Sequence, residues 1–79
     1  MAVGVYLPKT GMGIQEGTII KWLKNIGDQV KQGETLVEVE TVKATHELEA
    51  PANGILTKVL FQEGETAEVG SEIGIIEES

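Results

Sequence analysis

Seventy-nine residues make room for one domain, and a domain of that size buries only about 60% of the surface its unfolded chain exposes, so a deep catalytic cleft is not expected. The formal net charge of −7 works against nucleic acid and anionic membranes as partners and favours docking onto basic protein surfaces. There is no cysteine, which excludes disulfide staples and thiolate metal sites and leaves any redox chemistry to an added group. No apolar run approaches the roughly 20 residues of a membrane helix, and the N-terminus lacks the basic and apolar regions of a secretory signal. The expected location is the bacterial cytoplasm, or the mitochondrial matrix if the source is eukaryotic.

Ten glycines punctuate a chain rich in Val, Ile and Thr whose apolar segments are too short and too often interrupted for helices. Strands are predicted in turn at Val3–Pro8, Gly17–Leu23, Gln29–Val30, Leu36–Thr41, Thr45–Ala50, Gly54–Phe61, Thr66–Ala67 and Glu72–Glu77, with Lys9–Glu16 as a surface loop. An internal repeat supports this order. Gly17, Lys21, Leu23, Gly27, Gly33 and Glu40 recur 37 residues later as Gly54, Lys58, Leu60, Gly64, Gly70 and Glu77. In each copy a strand runs into a Gly-acidic turn, Gly27-Asp28 or Gly64-Glu65, then a short strand, a second glycine and another strand. Neither copy can bury its apolar face alone, so the predicted fold is all-β. It is a flattened barrel or sandwich of two four-stranded antiparallel sheets related by a pseudo-two-fold axis. The mate of Lys43 falls at position 80, past the last residue, and at Tyr6 in the other direction. The Lys43 segment and the chain ends are therefore expected at opposite ends of the sandwich.

Leu36–Thr41 and Thr45–Ala50 each alternate apolar and polar residues, as half-buried strands do. A two-residue turn at Val42-Lys43 sets Val37 opposite Leu48, Val39 opposite His46 and Thr41 opposite Ala44. That turn is chemically odd. Short hairpins favour Asn-Gly or Asp-Gly because their central residues often need positive φ, and neither Val nor Lys helps there. Local rules fail most often where function intrudes, and a lysine held at the tip of a rigid hairpin is a good attachment point.

With these residues in view the sequence closely resembles the lipoyl domains of the acyltransferase components of 2-oxoacid dehydrogenase and acetoin dehydrogenase complexes. The resemblance covers nearly the whole chain. It is carried by Leu7-Pro8, Glu16-Gly17-Thr18-Ile19-Ile20-Lys21-Trp22-Leu23, Gly27-Asp28-Gln29-Val30, Gly33-Glu34, Glu38-Val39-Glu40-Thr41, and Glu49-Ala50-Pro51 leading to Gly54. It implies that lipoic acid is amide-linked to Lys43 within the turn Val42-Lys43-Ala44. The lipoyl-lysine would then be a swinging arm, carrying acyl groups and electrons between other active sites while the domain itself catalyses nothing. The implied partners are a thiamin-diphosphate decarboxylase component, an acyltransferase catalytic domain, dihydrolipoyl dehydrogenase, and a lipoate ligase or lipoyl transferase. The domain is expected to be monomeric and to form the N-terminal part of a longer acyltransferase. Gly27 and Gly54 match glycines that the family keeps around the lipoyl hairpin. Glu40 is a candidate guide for the ligase, with a solvated strand residue as the equal alternative. Gly11, Met12, Gly13 and Ile14 match the family loop beside the lipoyl turn, where Met12 and Ile14 are candidate exposed anchors and half-buried packing is the simpler reading.

One departure stands out. Val42 occupies the place where acyltransferase lipoyl domains usually have Asp, and Val-Lys-Ala looks instead like the attachment turn of the glycine-cleavage H-protein. That carrier is longer and has helices this chain cannot supply, so it ranks below the acyltransferase domain, and the second reading is a different carrier. A biotinyl carrier of a carboxylase shares the fold, but its lysine lies between two methionines, whereas the methionines here are Met1 and Met12. An unmodified interaction module is the third reading, motivated by Val42 and the acidic surface. His46, the only histidine, is expected to be structural, since no acid or nucleophile with triad spacing accompanies it. Gly11, Gly13 and Gly17 make a weak phosphate-loop signal because no strand–helix unit follows. Trp22 is expected to pack on a sheet.

Overall fold

The computed structural model describes residues 1–79. Eight strands are present: β1 (Ala2–Tyr6), β2 (Glu16–Trp22), β3 (Gln29–Val30), β4 (Thr35–Glu40), β5 (Thr45–Glu49), β6 (Gly54–Val59), β7 (Thr66–Glu68) and β8 (Glu72–Glu78). They form two four-stranded antiparallel sheets with the orders β1-β8-β6-β3 and β5-β4-β2-β7. The predicted boundaries shift by at most two residues. The largest shift is the loss of Leu60 and Phe61 from β6 and of Leu7 and Pro8 from β1.

Superposing the repeat on this topology explains the sheet orders. A step of 37 residues converts β2, β3 and β4 into β6, β7 and β8, so the second sheet has the first sheet's order with β5 in place of β1. The core follows the same rule. Ile19, Val30, Leu36 and Val39 are buried in one copy, and their mates Leu56, Ala67, Ile73 and Ile76 in the other. Val5, Leu7, Val37, Leu48 and Ala50 complete the cluster, and no polar or charged residue is buried. Each sheet, built from strands of both copies, thus presents one apolar face, and hydrophobic burial between the faces is the main force holding the fold.

Simple alternation does not describe the strands fully. The β2–β4 register shifts between Ile19 and Lys21, and the β6–β8 register shifts between Leu56 and Lys58. A second pair of shifts lies beside Leu36, where β4 meets β5, and beside Val5 and Tyr6, where β1 meets β8. These irregularities recur one repeat apart, so they belong to the design of the unit. A bulge adds a residue to one strand and sharpens its twist, which lets a small sheet curl around a core. Each one puts two consecutive side chains on one side, such as Ile20 and Lys21 outside and Leu36 and Val37 inside.

The repeat also fixes the ends. Thr41 N–H donates to Ala44 O at 2.9 Å, and one repeat away Glu78 N–H donates to Met1 O at 2.8 Å. What is a covalent hairpin in one sheet is therefore a pair of chain ends in the other. Ala44 corresponds to Met1, so the second mate of Lys43 is not Tyr6, which pairs with Glu72 at the far end of β1. The step of 37 cannot be extended backwards through β1, because β1 and β5 lie outside the tandem segments and are offset by a different spacing. Ser79 N–H donates to Asn53 O, and Asn53 Oδ1 accepts from Gln32 N–H. Gly33 N–H donates in turn to Ala50 O. Those contacts place the termini by the end of β4 and β5 that is remote from Lys43, along a molecule 35 Å in its longest dimension.

Candidate functional site

The β4–β5 hairpin has the register expected from alternation, with Val37 opposite Leu48, Val39 opposite His46 and Glu40 opposite Thr45. Val37, Val39 and Leu48 point into the core, so the hairpin is fastened by its inner face and its tip is held rigidly out. At the tip Val42 and Lys43 are both exposed, Val42 to 93%.

The turn solves its chemical problem without positive φ. No residue other than glycine adopts positive φ anywhere in the chain, so the turn is not of the type whose twist matches flanking strands. Thr41 supplies the missing closure. Its hydroxyl donates to Ala44 O at 3.0 Å and accepts from the N–H groups of Ala44 at 3.3 Å and Lys43 at 3.4 Å. A threonine hydroxyl bonded to backbone two and three residues on is a known substitute for a backbone turn bond. Thr41 was the readable signal for this, as a Ser/Thr-type residue immediately ahead of a two-residue turn.

Behind the hairpin lies Gly17. A Cβ there would overlap Val39 Cγ1 and approach Glu40 O, so β2 and β4 come together at this point only because the side chain is missing. Glu16, Gly17, Thr18, Glu40, Thr41 and Val42 line a shallow cleft of about 210 Å³ against the turn. Glu40 pairs across the sheet with Thr45 and Thr18 and is exposed, within reach of a protein approaching the tip.

Gly27 and Gly54 do not lie around the hairpin. Gly54 pairs with Glu78 near the chain ends, where a Cβ would strike the Glu77 carbonyl. Gly27 holds φ +96° and donates to Leu56 O beside it. Gly17, the repeat mate of Gly54, takes the place expected of it, because the two copies present equivalent glycines at opposite ends of the sandwich.

The Lys9–Gln15 loop does reach the tip. Lys43 Nζ donates to Met12 O at 3.3 Å. Gly11 to Ile14 form a tight turn closed by Ile14 N–H donating to Gly11 O at 3.2 Å, with Gly13 at φ +81°. Met12 is 87% exposed, whereas Ile14 is only 6% exposed. Ile14 is thus not a surface anchor. Its buried side chain holds the loop against the body of the domain, two residues after the exposed Met12.

Lys43 takes part in neither ion pair of the fold, which are Met1 with Glu77 and Lys24 with Glu34. Acylating its amine would break no charge pairing and would meet open solvent, so the residues present fit an amide-linked group. His46 is half-buried in its strand. Trp22 donates from Nε1 to Phe61 O at 2.9 Å, and its ring fills the space left by Gly74. It also lines the largest hollow, about 400 Å³, with Lys24, Asn25, Ile26, Val59, Gln62 and Glu63. That hollow sits between the two equivalent connections and away from Lys43.

Comparison with known proteins agrees with this geometry. Residues 3–76 match the family model described as "Biotin-requiring enzyme", which spans biotin- and lipoyl-attachment domains. The succinyltransferase component of the 2-oxoglutarate dehydrogenase complex of Rickettsia conorii is 47% identical over 78 residues, which is 99% of this chain and 20% of that protein. The solution structure of the lipoyl domain of the 2-oxoglutarate dehydrogenase complex from Azotobacter vinelandii aligns with a TM-score of 0.78, 32% identity and 96% coverage of both chains. Kluyveromyces lactis urea carboxylase contains the same fold, with a TM-score of 0.83 at 23% identity over 98% of this chain and 6% of that one. Lipoyl domains carry lipoic acid covalently on a lysine. With two pseudo-symmetric sheets, an exposed lysine at a β-hairpin tip and these relatives, the chain belongs to the biotin/lipoyl-attachment family and, within it, to the lipoyl domains.

Proposed function

We propose that Lys43 is the lipoyl attachment residue and that this domain is the carrier module of the acyltransferase component of a 2-oxoacid dehydrogenase complex. The observation that carries the reading is the exposure of Lys43, outside either ion pair, at the tip of a core-fastened hairpin, with Thr41 closing the turn behind it. When attached, lipoate supplies a disulfide that accepts an acyl group and two electrons and later gives them up. The chain's own contribution is mechanical. It holds the root of the arm out from the sheet, keeps the termini at the other end of a 35 Å molecule, and leaves the lysine free of ion pairs. Tethering within a complex raises the effective concentration of such an arm to roughly millimolar.

The chain spans about one fifth of the length of the Rickettsia succinyltransferase component, so the catalytic acyltransferase belongs to sequence beyond the aligned part of that relative. The partners we assign are a thiamin-diphosphate decarboxylase component, the acyltransferase catalytic domain, dihydrolipoyl dehydrogenase and a lipoate ligase or lipoyl transferase. Relatives at 30% identity or better include components of 2-oxoglutarate dehydrogenase complexes, as in Rickettsia conorii and Azotobacter vinelandii, and of a pyruvate dehydrogenase complex, as in Acholeplasma laidlawii; the 2-oxoglutarate decarboxylase component is the first partner to test. Reductive acylation of the lipoylated domain by that component and by a pyruvate component, each with its own substrate, separates the two. Faster acylation by the 2-oxoglutarate component supports the assignment, and acylation by neither contradicts it. In the same assay Val42→Asp restores the carboxylate usual at this position and should raise the rate without changing the fold.

A further inference from the structure

We propose that the backbone carbonyl of Met12 is a seat for the root of the modified arm. On this reading the ε-amide N–H of the acylated Lys43 donates to Met12 O, and the first methylenes of the arm lie along the Met12 side chain. The inference rests on lipoylation of Lys43 and adds to it a resting position that the sequence motif does not encode.

The contact already exists in the unmodified chain, where Lys43 Nζ reaches Met12 O at 3.3 Å across 31 residues of sequence. The acceptor is built to stay there. Gly11 to Ile14 form a four-residue turn with a closing bond at 3.2 Å and positive φ at its third residue, Gly13, which is the requirement of a type II turn. Ile14, at the end of that turn, is buried, and Val69 N–H donates to Gln15 O at 2.9 Å just after it. The turn's own closing bond uses Gly11 O, so the Met12 carbonyl is left available.

Acylation changes the donor in a way that suits a single carbonyl. The ammonium carries three N–H bonds and a full charge, and is strongly hydrated. The secondary amide formed at the same nitrogen is neutral and keeps one N–H, so one donor faces one acceptor. The side chains agree with this. Met12 and Val42 stand 87% and 93% exposed on the two segments flanking Lys43, in a chain with 13 carboxylate residues. A methionine is flexible and polarisable, and so accommodates an aliphatic arm without a shaped pocket. One exposed hydrogen bond favours the seated arm over the free one by on the order of 2- to 10-fold. That ratio orients the root between visits yet releases it readily to a partner's active site.

The experiment uses the whole 79-residue chain, labelled with 15N throughout and 13C at the methionine methyls, and lipoylated on Lys43 as verified by intact mass and peptide mapping. Seating predicts nuclear Overhauser contacts from the ζ N–H and the first arm methylenes to the Met12 methyl and the Gly13 amide. It also predicts ζ N–H exchange with solvent slowed by roughly 2- to 10-fold relative to lipoyl-lysine in a short unstructured peptide. In Met12→Ala the methyl contacts disappear while the slowed exchange persists, because the carbonyl remains. A verified lipoyl group with peptide-like exchange and no contact to residues 11–14 overturns the seat and leaves the attachment standing. Absence of the mass increment overturns the attachment itself, and the seat with it.

Discussion

Replacing Thr41 with Val keeps the β-branched shape and deletes only the hydroxyl that closes the lysine turn. That hydroxyl makes three hydrogen bonds, to Ala44 O at 3.0 Å and from the N–H groups of Ala44 and Lys43 at 3.3 and 3.4 Å. The last two are long and all three are exposed, so water can replace part of what is lost. A net loss of about 1 kcal/mol follows, the worth of one ordinary hydrogen bond. A domain of this size is expected to lose about 4–8 °C in melting temperature for that change. The sharper effect is local. Ala44 N–H has no backbone acceptor across the turn, so Thr41→Val removes its only partner, while Thr41 N–H keeps its bond to Ala44 O at 2.9 Å. Hydrogen exchange followed by NMR should show the Thr41 amide losing protection by about fivefold, the equivalent of 1 kcal/mol, and the Ala44 amide losing it altogether. Amides deeper in the hairpin, such as Glu38 and Val39, should change only with global stability. Thr41→Ser should restore most of the protection. Unchanged exchange at Thr41 and Ala44 in the valine variant, or failure of serine to rescue, would refute the idea that a side-chain hydroxyl stands in for turn residues here.

Lys43→Gln removes an exposed side chain with one weak bond to Met12 O, so its stability should stay within about 0.5 kcal/mol of the parent by thermal melting while modification ceases. Gly17→Ala and Gly54→Ala are repeat mates with different consequences. The added methyl meets the Val39 side chain in the first and the Glu77 backbone carbonyl in the second. Backbone cannot step aside, so denaturant titration should show Gly54→Ala as the more costly, with Gly17→Ala near the 1–3 kcal/mol usual for overpacking, roughly. Glu34 has its carboxyl held below the ordinary 4.5, first by the Lys31 N–H that its Oε1 accepts and then by Lys24. A depressed carboxylate stabilises the fold above its unfolded value and loses that contribution as pH falls through the folded value. Glu34→Gln should therefore flatten the decline of melting temperature below pH 4.5. An equally steep decline would show that Glu34 does not take part in acid unfolding.

Most of the architecture was legible because the chain states it twice. Two copies of a glycine-spaced strand unit imply two equivalent sheets, and the alternation of Leu36–Thr41 and Thr45–Ala50 set the hairpin register. The bulges at Ile20 and Leu36, with their mates, were hidden because a bulge breaks the period of two without leaving a fixed residue type. A step of 37 puts the mate of Lys43 at Tyr6, but β1 and β5 fall outside the repeated segments, so their correspondence appears only in the paired strands. The resemblance puts Gly54 beside the hairpin, but Gly17 and Gly54 are equivalent in the repeat, and only the strand pairing shows which of them neighbours the lysine. Ile14 and Met12 looked alike as apolar loop residues, and only burial separates the pin from the exposed tip.

Intact mass with peptide mapping, after incubating the chain separately with lipoate ligase and biotin ligase and their substrates, decides whether Lys43 is the lipoyl attachment residue. Lys43 and no other residue should gain the lipoyl increment, with the biotin ligase leaving the chain unmodified. A biotinyl increment, or a lipoyl group on any other lysine, would contradict that assignment.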